Sequence, residues 1–147
     1  MNSLGGMNWR NLSNWSRSAR NTMWCLAGCA AGDFGTIAYV DWKGIQMSTH
    51  LLMGLAMMNG ILTSILLETV ILLKQMGFGK AMRTALGMSL VSMVAMELAM
   101  NAVDYVGNGG SLGVSVWMIP ALGAGFLAAW PYNYWRLEGH GKSCCGK

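Results

Sequence analysis

Four apolar runs alternate with short polar segments along the chain, from about Asn21 to Tyr39, Met47 to Leu73, Met82 to Val103 and Gly113 to Trp135. A hydrocarbon core about 30 Å thick takes roughly 20 mainly apolar residues per helix, so each run predicts one span. The pattern thus predicts an all-α fold, a four-helix polytopic membrane bundle over 21–135. An N-terminal arm (1–20) and a C-terminal tail (136–147), both cytoplasmic, flank it. Pro120 stands near the start of the fourth run, where a proline is tolerated in the first turn or kinks the helix.

Polar residues interrupt these runs at helical spacing. In "CLAGCAAGDFG" (25–35), Cys25, Cys29 and Asp33 fall at i, i+4 and i+8 and share one face, while Gly28 and Gly32 form a small-xxx-small pair on an adjoining face. The glycines predict close approach of a second helix. "LAGC" is similar to a lipoprotein cleavage box, but about five weakly apolar residues follow Arg20, fewer than the roughly 7 to 15 a signal peptide needs. On the third run, Met93, Glu97, Met100 or Asn101, and Asp104 make one stripe of thioethers and polar groups. A carboxylate inside a membrane costs about 2.5 to 3.5 kcal/mol on insertion scales, so Asp33 and Glu97 are expected to face the bundle interior and have partners. His50 opens the second run on the same side as Asp33, Glu97, Asn101 and Asp104, and these five are expected to converge toward the outer surface. Glu68 lies six residues before Lys74 and is expected to snorkel or pair with Lys74, Lys80 or Arg83.

Charge sets the orientation. Lys and Arg gather in short cytoplasmic segments. Arg10, Arg17, Arg20, Lys74, Lys80, Arg83, Arg136, Lys142 and Lys147 fall on one side of a four-span chain and Lys43 alone on the other, with Asp41 and Asp104. Both termini are therefore expected in the cytoplasm and the protein in the plasma membrane. Aromatics agree: Trp24, Trp130, Tyr132, Tyr134 and Trp135 mark the inner headgroup level, and Tyr39, Trp42, Tyr105 and Trp117 the outer one.

Composition narrows the chemistry. Hydrophobic residues make up 54% and charged residues 11%, against about 25% charged in soluble domains. The net charge of +4 belongs to no basic cluster with interleaved aromatics, which excludes a nucleic-acid partner. No Ser/His/Asp constellation, metal-hydrolase spacing or phosphate-cradling loop points to an enzyme. Fourteen methionines and four cysteines admit a soft metal, since thioether and thiolate select Cu(I). Met96/Met100 and Met53/Met57 form M-x-x-x-M pairs resembling those of eukaryotic copper transporters, and the tail "GHGKSCC" is similar to their cysteine and histidine ends. The expected metal-binding set is Cys25, Cys29, Asp33, His50, Met93, Met96, Glu97, Met100, Asn101 and Asp104, with copper as the cofactor or cargo. Cys25 and Cys29 are expected as free thiols, because they lie toward the reducing side. Two function classes follow: a small carrier or binder of a metal cation such as Cu(I), or a non-catalytic accessory subunit whose polar groups fix packing. The expected partners are the lipid bilayer and either a second copy or other membrane subunits.

Three motifs in order, "CLAGCAAGDFG", "AMRTALGMSLVSMVAMELAMNAVDY" and "AAWPYNYW" followed by "GHGK", resemble a family of small prokaryotic membrane proteins, domain of unknown function 4396, from Arg20 to Lys142. The family pattern has a His before the first Cys and a Glu at the Asp33 place, where this chain has Trp24 and Asp33. The resemblance implies a membrane protein and marks Cys25, Cys29, Asp33, Glu97, Asn101, Asp104, Pro131 and Asn133 as motif positions. It brings no function.

Overall fold

In a computed structural model, residues 10–140 are described, and among them the chain forms four α-helices and no strand. They are α1 (Leu12–Lys43), α2 (Thr49–Leu73), α3 (Phe78–Gly107) and α4 (Met118–His140). The chain is all-helical, as the periodicity predicts. The tail's Lys142, Cys144, Cys145 and Lys147 lie outside the described residues.

Local signals set the helix ends. The Asn11 side chain accepts from the Asn14 N–H at the start of α1, and Ser48 accepts from Leu51 at the start of α2, each satisfying one of the donors a first turn leaves open. Gly44 ends α1 at φ 63°, a left-handed position that glycine adopts without strain. α1 begins at Leu12 rather than near Asn21, because its first turns have a partner: Trp15 stacks on Tyr134 at 4.0 Å and Ser18 donates to the Trp130 carbonyl. Helix thus reaches into the expected arm. α4 begins at Met118 rather than Gly113, after turns that contain Gly109 and Gly110 at positive φ. Pro120 therefore sits in the first turn, where its missing N–H is not needed, and the proline inside the helix is Pro131.

The helices pack as a ring, α1 against α2, α2 against α3, α3 against α4 and α4 against α1, with α1 and α3 also touching across the diagonal. Gly28 and Gly32 meet α2, as their spacing predicts. A Cβ on Gly28 would lie 2.5 Å from the Ser64 Cα, and one on Gly32 would overlap the Asn59 carbonyl.

The ring is apolar outside, and its interior sets buried carboxyls and amides among apolar side chains. Met58, Leu62, Leu66 and Val70 line the outer face of α2, with Met58 61% exposed, while Asp33, Glu68, Glu97, Asn101 and Asp104 are buried. In water this inversion would be unstable, because the hydrophobic effect drives apolar area inward. In lipid the outward faces need no cover. α1, α2 and the Ser89–Gly107 part of α3 are long and apolar enough to cross a membrane; α4 is not among them. These three helices mark a membrane protein.

Candidate functional site

The site lies on the α1–α3 diagonal. Cys25, Cys29 and Asp33 occupy the buried face of α1, and Glu97, Asn101 and Asp104 the facing stripe of α3, because both sets repeat near the helical period. Ala56, Gly60, Ser64 and Glu68 add a third buried line at four-residue spacing from α2.

Asn101 holds two carboxyls. Its Nδ2 donates to Asp33 Oδ2 at 3.2 Å, to Glu97 Oε2 at 3.5 Å and to its own helix at the Glu97 carbonyl, 3.0 Å. Asp33 is 1% exposed, Glu97 0% and Asn101 1%. Three of their oxygens, Asp33 Oδ1, Glu97 Oε1 and Asn101 Oδ1, are buried and have no hydrogen-bond partner among the described residues by distance and angle, while the Cys29 thiol stands beside the Glu97 carboxyl. Such orphaned groups are rare in native interiors, and each has a reason, among them an absent ion or a catalytic role. Among the described residues, Asn101 and Asp104 act on Asp33, and Asp33 and Cys29 act on Glu97; none of these is a cation.

Glu97 reaches α2. A Cβ on Gly60 would overlap Glu97 Oε1 and lie 3.0 Å from the Cys29 carbonyl oxygen, so the bare backbone of Gly60 forms the notch that receives this carboxyl. Cys29 is fully buried, with Glu97, Ser64 and Glu68 as its polar neighbours. One turn away, the Cys25 thiol donates to Glu68 Oε1, and Ser64 donates to the Cys25 carbonyl at 3.1 Å. Among the described residues neither cysteine is joined in a disulfide.

Several sequence-based expectations change here. Glu68 does not snorkel: it is 1% exposed and turned inward onto Cys25. The Gly60–Ser64–Glu68 spacing, the same as Cys25–Cys29–Asp33, carried that information. His50 stays exposed, edge-on to Tyr105 at 6.5 Å between ring centroids, and does not join Asp33, Glu97 and Asn101. Asp104 ties the end of the α3 helix instead of completing the pair. It accepts from Asn108 Nδ2 at 2.7 Å and from the Gly113 N–H at 3.4 Å, though it still lies near enough to Asp33 for their charges to interact. The thioethers part from the carboxyls, since Met96 and Met100 pack on Gly125 of α4. Met93 is buried in the same core. Among the described residues no three or more His, Cys, Asp or Glu side chains are grouped so that they could hold a metal ion.

The third motif closes the ring. Asn133 Nδ2 donates to Thr22 Oγ1 at 2.9 Å, Trp130 Nε1 to the Trp15 carbonyl at 3.3 Å and Asn14 Nδ2 to Glu138 at 2.5 Å, fastening α4 to the first turns of α1. A family model matches residues 14–142, which contain all three motifs. The chain belongs to that family, described as domain of unknown function (DUF4396). No curated protein and no solved structure matches it. Every DUF4396 motif position named from the sequence lies in a helix, and all but Pro131 and Asn133 are buried on the face turned to the bundle interior.

Proposed function

We propose that the protein is a multi-pass membrane protein that binds and releases protons at the Asp33–Asn101–Glu97 site. One observation carries this reading: among the described residues Asp33 Oδ1 and Glu97 Oε1 are buried without a hydrogen-bond donor in reach, and the Asn101 amide donates to both carboxyls. Two ionised carboxylates held there would place uncompensated charge inside a membrane, where an isolated charge is costly. Bound protons remove it. Infrared difference spectra of the purified protein in lipid are expected to show carboxylic-acid bands that come and go with bulk pH, one lost in D33N and another in E97Q. Bands that stay constant across pH would overturn the reading and leave a packing network.

For the soft-metal reading, support comes from the buried thiols and thioethers. Oxygen donors suit protons and hard cations better than Cu(I), and Cys25 and Cys29 each have a carboxyl as a polar neighbour. An accessory role in a larger assembly draws on the outward groove of Gly32, Gly35, Thr36, Tyr39, Asn59 and Thr63, where small and polar side chains face lipid. That surface suits a second copy or another membrane subunit.

The reading takes α4 as a fourth span. α4 lies along α1 in the opposite direction, with its Trp130–Glu138 segment on α1's first turns, so a membrane crossed by α1 encloses α4 as well. Four spans put both termini on the side richer in Lys and Arg, the cytoplasmic side of a plasma membrane. In a background with Cys144 and Cys145 changed to Ser, Asn108→Cys should react with an impermeant maleimide from outside and Phe78→Cys from inside only. The reverse pattern would sink this orientation.

A further inference from the structure

The buried polar groups do not end at the Asp33–Glu97 pair. Cys29 interacts with Glu97 on α3 and with Glu68 on α2, and Cys25 donates to Glu68, while at the other end Asp104 interacts with Asp33. Asp104 lies three residues before the end of α3, and Glu68 five residues before the end of α2, at the opposite end of the bundle. From Cys25 to Asp33 alone the groups climb about 12 Å of helix. Protonatable side chains thus succeed one another from one end of the bundle toward the other. Glu97 stands at the middle, with one carboxylate oxygen on Asn101, the other in the Gly60 notch, and the Cys29 thiol beside the carboxyl.

We propose that Asp104, Asp33, Glu97, Cys29 and Glu68 form a proton route across the membrane, with Glu68 and Cys25 as its cytoplasmic terminus. The inference rests on the proton-binding reading of the Asp33–Glu97 site and on the orientation given above. Asp104 takes up a proton from the outer side and hands one to Asp33, and Asp33 hands one to Glu97, one O–H bond breaking as the next forms at each transfer. Glu97 then gives its proton to the Cys29 sulfur while the Cys29 S–H proton passes to Glu68. Glu68 releases a proton toward the cytoplasm, so each group ends as it began and one proton has crossed. No electron moves. The charged and titratable neighbours of the central carboxyl are Asp33 and Cys29 from α1, and Glu68 joins through Cys29 from α2.

The test uses the full chain in liposomes holding a pH-sensitive dye, with a potassium diffusion potential imposed by valinomycin. Wild type is expected to carry protons inward, E68Q at least tenfold more slowly, and E68D, which keeps a carboxyl, at an intermediate rate. The infrared bands of Asp33 and Glu97 are expected to persist in E68Q. Wild-type flux in E68Q, or no flux above protein-free liposomes in wild type, would overturn the route. Persistence of the pH-dependent bands in either case would leave the proton-binding reading standing, whereas their absence from wild type would remove both. E68D also controls for folding, since an E68Q defect from misfolding would not be relieved by the shorter carboxyl.

Discussion

Gly60→Leu is expected to destabilise the bundle by about 3 kcal/mol or more, the upper part of the range for overpacking a filled interior. A Cβ there would overlap Glu97 Oε1 and lie 3.0 Å from the Cys29 carbonyl oxygen. The carboxyl can swing aside, but the carbonyl belongs to the α1 backbone, so α2 has to move away from α1. Gly54 is the control. It lies six residues earlier on the same helix, and a Cβ on it meets nothing within 4 Å. Gly54→Leu should therefore unfold in sodium dodecyl sulfate at nearly the wild-type midpoint, with Gly60→Leu well below it. Equal midpoints would show that the notch is not tight. Gly60→Ala separates packing from function, since its methyl group meets Glu97 Oε1 first and is expected to disturb proton binding more than stability.

Asn101→Leu is expected to remove the donor that, among the described residues, Asp33 and Glu97 share. Leaving a buried polar group unsatisfied costs about 1–3 kcal/mol, and two carboxyls are affected here, so a loss of about 2–5 kcal/mol follows. The distinguishing measurement is a swap. Asn101→Asp alone puts a third carboxyl beside Asp33 and Glu97 and should be strongly destabilising. Adding Asp33→Asn restores the count of one amide and two carboxyls, with the amide now on α1 facing the carboxyl at position 101, and should recover part of the loss, with a coupling of at least about 1 kcal/mol in a double-mutant cycle. Additive losses would mean that Asn101 and Asp33 do not act as one unit. Both measurements use unfolding in the same detergent, so the native contact of 3.2 Å between Asn101 and Asp33 is what the cycle reads.

Much of the architecture is written in local periodicity. Apolar runs of the right length predict helices, and the described residues are all-helical; the four-residue spacing of Cys25, Cys29 and Asp33 puts them on one face, because a helix keeps a fixed angle per residue whatever surrounds it. The Gly28/Gly32 pair announced a close helix contact for the same reason. Element ends were less legible. Leu12 is a helical residue because Trp15, Ser18 and Thr22 find α4, a contact more than a hundred residues away in sequence. Tertiary packing overrides the polar composition of that segment.

The site divides along the same line. By itself the sequence determined that Asp33, Glu97 and Asn101 would be costly in a membrane and would turn inward, since the free energy of an intramembrane polar group depends on the residue alone. Only the tertiary structure decided what each turned toward. It joined Asp33 to Glu97 through Asn101, brought Glu68 in to Cys25, left His50 outside and sent Met96 and Met100 to α4. Those pairings follow from the rotation of each helix about its own axis, and that rotation is set by the close approach of glycines and small residues on neighbouring helices, which no single helix encodes.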